Sequence, residues 1–348
     1  MLNRHPITRT IINGMLAGGV VFALTGLFSL KSIPLLNPLP RHNDLADKIR
    51  PALMKKPNLY SVKKPASFPN TVLAASENQV ASSAYAVVDY DSGEVIKENN
   101  LNEHLPIASL TKIMTAVVAL DLANPDDVFT ITQEAADKIP TKIGLQPGEK
   151  LTLRELMHAS LLTSANDATE AIKDGVDAKY GSSVFIDAMN MKAHMLGLTS
   201  SHFANPQGFD SPANYSSVHD LAVLAHYALS EYPMIAEIVK KDYVQLPATD
   251  THRQFDLYNW NGLLDVYPNV FGVKIGNTDA AGTTTVVASE RDGHTVLVAL
   301  LGTPGVLQRD MGAAQLLDMG FEEKWNMDPI AVTEDQLRAK YGTWKYWN

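Results

Sequence analysis

Three short patterns in this chain of 348 residues together supply hydroxyl groups, lysines and an amide that could do chemistry. Ser109-Leu-Thr-Lys112 sets a hydroxyl and an amine three residues apart, which is one face and one turn of a helix. A serine nucleophile needs a neighbouring base, and a lysine kept neutral by its surroundings can serve. Ser164-Ala-Asn166 adds a second hydroxyl able to relay a proton and an amide able to hold a peptide group. Lys274-Ile-Gly276 adds a positive charge for a substrate carboxylate, and a glycine that lets a substrate backbone lie close to a strand edge.

Each pattern recurs elsewhere in the chain, so context must separate them. Ser61-Val-Lys-Lys64, Ser76-Glu-Asn78 and Lys142-Ile-Gly144 are second instances. Taken singly, Ser109 reads as a helix cap, Lys112 as a surface charge, Asn166 as a cap and Lys274 as an edge-strand charge. Ser109 alone heads a helical pattern, with apolar residues at Leu110, Ile113, Met114, Val117 and Leu120. Thr152 and Glu155 form a capping box that starts another helix, apolar at Leu153, Leu156, Met157 and Leu161 and ending near Thr163. Asp167 and Glu170 are expected to cap the next helix, which puts Ser164 and Asn166 at a junction. Lys274 follows a strand-like run, Val270–Val273.

The other elements suggest a fold. Ala84–Asp89 and a strand from Val95 flank the turn Asp91-Ser92-Gly93. Thr284–Ser289 and Thr295–Leu301 are strands joined through Arg291-Asp292-Gly293, and Leu307–Phe321 reads as a helix. Residues 109–230 are mostly helical in pattern. The expectation is an α+β fold: one antiparallel sheet from both ends of the body, with flanking helices and an inserted helical lobe.

Composition narrows the function. Without cysteine, no disulfide, thiolate metal site or catalytic thiol is possible. The ten histidines are scattered without metal-ligand spacing, and no phosphate-binding glycine pattern occurs, so neither metal nor cofactor is expected. Residues 1–64 carry ten Lys/Arg against two acids, while the remainder carries 19 against 36. That acidic body argues against nucleic acid as a partner. After a short segment, 1–10, residues 11–30 read as a transmembrane signal anchor, with a cleaved signal peptide as the competing reading. The basic residues after this span lean against an exported body by the positive-inside rule. Residues 31–82 read as a basic, proline-rich linker in extended form, 83–321 as the catalytic body, and 322–348 as a tail whose aromatic residues pack on it.

The order S-x-x-K, S-x-N, K-x-G is that of the active-site serine penicillin-recognising enzymes. Flanking stretches such as Ala108–Ala116, Asn205-Pro-Gln-Gly-Phe209, Thr278–Gly282 and Leu317-Asp-Met-Gly-Phe321 narrow it. The chain resembles the D-alanyl-D-alanine carboxypeptidases, the low-molecular-mass penicillin-binding proteins, over residues 83–321. The resemblance implies a β-lactamase/transpeptidase-like fold on the outer side of a bacterial membrane. It implies peptidoglycan stem peptides as substrates and β-lactams as covalent inhibitors. By the same resemblance Ser109 is the nucleophile, Lys112 its base, and Ser164 a proton relay to the leaving amine. Asn166 orients the substrate, the N–H groups of Ser109 and Asn277 form the oxyanion hole, and Lys274 and Thr278 recognise the terminal carboxylate beside Gly276.

One residue departs from the family. The middle position of the third motif is usually Thr or Ser in the family and is Ile275 here. The change removes one potential hydrogen bond, worth about 1.5–3 kcal/mol where the substrate carboxylate is its partner, with Thr278 in place to compensate in part. Residues 322–348 are too few for the C-terminal β-rich domain of many relatives, so anchoring is expected from the N-terminal span. A DD-endopeptidase would use the same residues. A β-lactamase needs a glutamate downstream of the second motif, and Glu98-Asn-Asn-Leu-Asn102 lies upstream. A non-catalytic wall-binding module is the alternative of a different class.

Overall fold

The computed structural model describes residues 42–65 and 80–344. Nine strands follow in chain order: β1 (Ala84–Asp89), β2 (Val95–Asn99), β3 (Val128–Thr130), β4 (Lys150–Thr152), β5 (Tyr243–Leu246), β6 (Phe255–Tyr258), β7 (Val270–Thr278), β8 (Gly282–Arg291) and β9 (His294–Thr303). The α-helices are α1 (His42–Leu53), α2 (Thr111–Leu122), α3 (Gln133–Ala136), α4 (Leu153–Leu161), α5 (Asn166–Tyr180), α6 (Val184–Met195), α7 (Val218–Glu231), α8 (Pro233–Val239), α9 (Val306–Trp325) and α10 (Glu334–Tyr341).

The main sheet has the order β2-β1-β9-β8-β7, every pair antiparallel. Its first strands lie directly against its last, Ala84 opposite Leu301 and Asp89 opposite Val296. Everything from α2 to α8 is therefore an insertion between β2 and β7, and the fold is α+β as expected. Strand alternation divides the core. Ala84, Ala86 and Val88 of β1, with Leu297, Ala299 and Leu301 of β9, face the helical lobe. Val87, Val296, Val298 and Leu300 face the opposite side, where α9 supplies Ala313, Leu317 and Phe321. Local signals set the lobe's helices. Thr152 and Glu155 form the reciprocal capping box of α4, and Ser217 caps α7 through the N–H of Asp220.

The expectation of an extended linker is corrected for residues 42–65. α1 packs on α2 and α6, and its Ile49 and Leu53 are each 1% exposed. The chain then crosses the body, with the Tyr60 ring stacked 3.5 Å from that of His226. Lys63 makes backbone bonds of 2.9 Å to Gly93 and Val95 at the start of β2. Widely spaced apolar anchors among the prolines and lysines outweigh the composition: each buried side chain contributes about 1.5–3 kcal/mol. The expected anchor at 11–30 lies outside the described residues, as do Ser76-Glu-Asn78, Tyr346 and Trp347. Among the described residues no helix is long and apolar enough to cross a membrane.

At the other end, α9 continues past Phe321 to Trp325 and stops at Asn326, which adopts the left-handed conformation. α10 docks through fully buried Leu337, and the Tyr341 hydroxyl donates to Asp310 at 2.8 Å.

Candidate active site

β7 forms one edge of the sheet, and the short 3₁₀ turn Ala108–Leu110 that opens α2 packs against it. The approach is close. A Cβ on Gly276 would lie 2.9 Å from the Ser109 nitrogen, and one on Gly208 would lie 1.8 Å from the Ala108 carbonyl oxygen. Only glycine fits at either place, which fixes the height of Ser109 relative to the strand edge. Ser109 sits in the first turn, where backbone N–H groups have no intrahelical acceptor and the helix presents its positive end.

Lys112 lies one turn on, with no exposed surface. Its Nζ stands 2.9 Å from Ser109 Oγ, 2.9 Å from Asn166 Oδ1 and 2.8 Å from the Gln207 carbonyl oxygen. Burial pushes its pKa well below the ordinary lysine value; the charge of Lys274 adds to this, and Asp167 opposes it. A neutral amine has two N–H donors and one lone pair. Asn166 and Gln207 take the donors, and the lone pair remains for the serine proton.

Ser164 occupies the junction between α4 and α5, as expected, in the left-handed conformation with φ of 60°. Asn166 is held at both ends of its side chain, since Nδ2 donates to the Ile139 carbonyl at 3.1 Å. Asp167 and Glu170 do not cap α5, whose first residue follows Ala165 without a side-chain cap. Instead the Asp167 carboxylate accepts the N–H groups of Ile143, Gly144 and Leu145 at 2.8–3.2 Å, pinning the loop beside Asn166. Glu170 accepts from the Gln207 amide and pairs with Lys138 and Lys173, so it holds the residue whose carbonyl meets Lys112. Glu134, Glu170 and Asp174 approach one another within 4.8 Å, with these two lysine amines between them.

Lys274 is buried in β7, just after a bulge that shifts the register between Gly272 and Lys274. Its Nζ donates to the Ile275 carbonyl at 3.0 Å. Burial, then the nearby charge of Arg309, pushes its pKa down to about 7. Arg309 is also fully buried and makes a two-pronged pair with Asp310 at 2.7 and 3.0 Å. Its Nη2 reaches the Trp260 carbonyl, and its Nη1 has no partner among the described residues. Asn277, opposite Thr283, is exposed at the strand edge. Thr278 does not stand free: its hydroxyl donates to Asp210 at 2.6 Å.

Of the residues singled out in sequence, the structure thus joins Ser109, Lys112 and Asn166 by direct bonds and sets Gly276 against Ser109. Ser164 and Lys274 follow by chain connectivity. Gln207, Arg309 and Asp210 were missed. Arg309 left a signal, because it lies four, eight and twelve residues before Ala313, Leu317 and Phe321, on the inward face of α9.

Comparison with known proteins places the chain in a family. Residues 71–305 match peptidase family S11, D-alanyl-D-alanine carboxypeptidase. A D-alanyl-D-alanine carboxypeptidase of Mycobacterium tuberculosis is 34% identical over 247 residues, 68% of this chain and 81% of that protein. One from Bacillus subtilis is 29% identical over 270 residues, 75% of this chain and 68% of that protein. The Streptomyces K15 DD-transpeptidase structure superposes with a TM-score of 0.66 at 29% identity, covering 71% of this chain and 99% of that one. The family model spans well over half of the chain, and the chain belongs to the S11 D-alanyl-D-alanine carboxypeptidases.

Proposed function

We propose that the protein is a serine DD-carboxypeptidase that removes the terminal D-Ala from peptidoglycan stem pentapeptides through an acyl-enzyme. The observation that carries this reading is the Lys112 amine, buried, partnered by two acceptors and 2.9 Å from Ser109 Oγ. Ser109 Oγ attacks the penultimate D-Ala carbonyl while its proton passes to Lys112 Nζ. The oxyanion is taken by the N–H groups of Ser109 and Asn277. As the C–N bond breaks, the proton reaches the leaving D-Ala amine with Ser164 as relay. Water then attacks the ester and restores Ser109. Asn166 orients the donor peptide and Lys112, and Gly276 lets the substrate backbone lie beside β7.

Lys274 supplies the charge for the terminal carboxylate, and Arg309 adds an uncompensated N–H in the same buried region. Thr278 can join them only by giving up Asp210. A β-lactam enters the same path and stalls as an acyl-enzyme. The chain is read as membrane-anchored through residues 11–30, with the body on the extracytoplasmic side.

One feature favours a DD-endopeptidase as second reading. A cavity of about 540 Å³, lined by Thr163, Trp260, Lys142 and Arg253 among others, lies next to Ser164 and to the carbonyl that holds Arg309. It can take a leaving group larger than alanine. D-alanine release by the full chain, with Ser109→Ala as control, tests the first reading; cross-linked muropeptides test the second.

A further inference from the structure

A second cavity, of about 570 Å³, lies beside the turn that ends β7 and is lined by His104, Pro106, Asp210, Asn214, Tyr215 and Ala280, among others. β7 gives the site a direction. Lys274 marks the carboxylate end, Asn277 the scissile carbonyl, and Thr278 to Ala280 come next. A peptide lying along this edge with its carboxylate at Lys274 carries its upstream residue toward Thr278–Ala280, at about 3.3 Å per residue.

The cavity walls suit one kind of side chain. Pro106, Pro212 and Ala280 are apolar, and the rings of His104 and Tyr215 stack 4.9 Å apart at 11° to make a flat wall. Among the lining residues there is one carboxylate, exposed Asp210, and no Lys or Arg. Thr278 Oγ1 at 2.6 Å and the Ala280 N–H at 3.1 Å fix that carboxylate. A carboxylate has about four lone-pair sites, so capacity for another donor remains. An alkylammonium chain can lay its methylenes on apolar and aromatic surface and bring its charge to a carboxylate. The Asp210 carboxylate also disfavours a substrate carboxylate at Thr278, the role first expected of that residue.

We propose that this cavity receives the side chain of the residue preceding D-Ala-D-Ala, and that Asp210 selects a free primary ammonium there, as on a diamino acid that is not cross-linked. The inference rests on the carboxypeptidase reading.

The test uses the full chain with Nα-acetyl-L-Lys-D-Ala-D-Ala and its Nε-acetylated counterpart, which differ at the side-chain amine alone. The free amine is expected to be favoured about tenfold in kcat/KM, the scale of one charge-assisted contact. Asp210→Asn brings the two substrates within about twofold. His104→Lys leaves the Asp210 hydrogen bonds in place and lowers the preference at least about threefold by like-charge repulsion. A wild-type ratio near one, or a preference that survives both substitutions, overturns the proposal. General damage from Asp210→Asn shows separately, as equal loss on both substrates and slower labelling by a fluorescent penicillin; His104→Lys then decides. Penicillin labelling without release from either tripeptide also overturns the proposal. No release and no labelling overturns the carboxypeptidase reading with it.

Discussion

Lys112 Nζ lies 2.9 Å from Ser109 Oγ, in a pocket where its remaining donors already have acceptors in Asn166 and Gln207. A protonated amine there would point an N–H at the nucleophile and hold it inactive. A neutral one accepts its proton. The arrangement gives Lys112 the task of a base rather than a counter-ion.

Lys112→Arg keeps the positive charge and removes the base, because a guanidinium does not give up its proton in a protein. Acylation by penicillin is expected to fall by at least about a thousandfold, within the usual span of general-base catalysis. Stopped-flow or gel-based labelling rates check this. A loss below tenfold would assign the proton to another group.

Burial and the nearby charge of Arg309 push the Lys274 pKa down to about 7. Its pKa is depressed, so the ammonium that attracts a carboxylate is present below that value and is lost as pH rises through it. Lys112 works in the opposite sense, because it must be neutral. kcat/KM for a peptide with a free C-terminus should therefore trace a bell, with an alkaline limb near pH 7. Lys274→Arg keeps its charge at every accessible pH and should remove that limb. A limb of unchanged midpoint in the variant would detach it from Lys274.

Ile275 is 7% exposed and opposite Thr285 in the ladder, and it joins neither core cluster. Its side chain supplies no hydrogen bond at the position where the family resemblance leads one to expect a hydroxyl. Ile275→Thr is expected to raise the second-order rate of penicillin acylation by about tenfold, the lower end of what one charge-assisted bond provides. Equal rates would show that the missing hydroxyl costs nothing here.

The segment 42–65 belongs to the folded body. Leu53 supplies its carbonyl to buried Lys192 at 2.7 Å, where the same amine pairs with Asp121 at 2.9 Å and bonds to the Tyr227 hydroxyl at 2.8 Å. Removing residues 1–79 uncovers that ion pair and loses the burial of Ile49 and Leu53, a destabilisation of about 3–6 kcal/mol from the two side chains. Thermal unfolding of the truncated and full chains measures it. Asp121 is nine residues from Lys112 along α2, about 13 Å at 1.5 Å per residue, so activity per folded molecule is expected to persist below the lowered Tm. An unchanged Tm would make this segment a tether after all.

Much of the fold can be read in the sequence where the signals are local. The Thr152–Glu155 capping box, the period of α2 and the turns at Asp91–Gly93 and Arg291–Gly293 each report on a few neighbouring residues. The nucleophile and its base are legible for the same reason, one turn apart on one helix. What the sequence conceals is long-range. Gln207 acts through a backbone carbonyl, which no side-chain type announces. Asp167 and Glu170 stand where helix caps belong, but distant N–H groups and lysines claim them. Asp210 gains meaning only when 68 residues later Thr278 returns to it. The docking of α1 and the segment after it hides in a composition that suggests solvent, because Ile49, Leu53 and Tyr60, set among many prolines and lysines, leave no clear period.

D-alanine release tests the central claim most directly. The full chain in detergent is incubated with a pentapeptide ending in D-Ala-D-Ala, beside Ser109→Ala folded to the same Tm. The account predicts one equivalent of D-alanine per peptide from the wild type and none from the variant. Release that persists in Ser109→Ala, or none from a wild type that penicillin still labels, would contradict it.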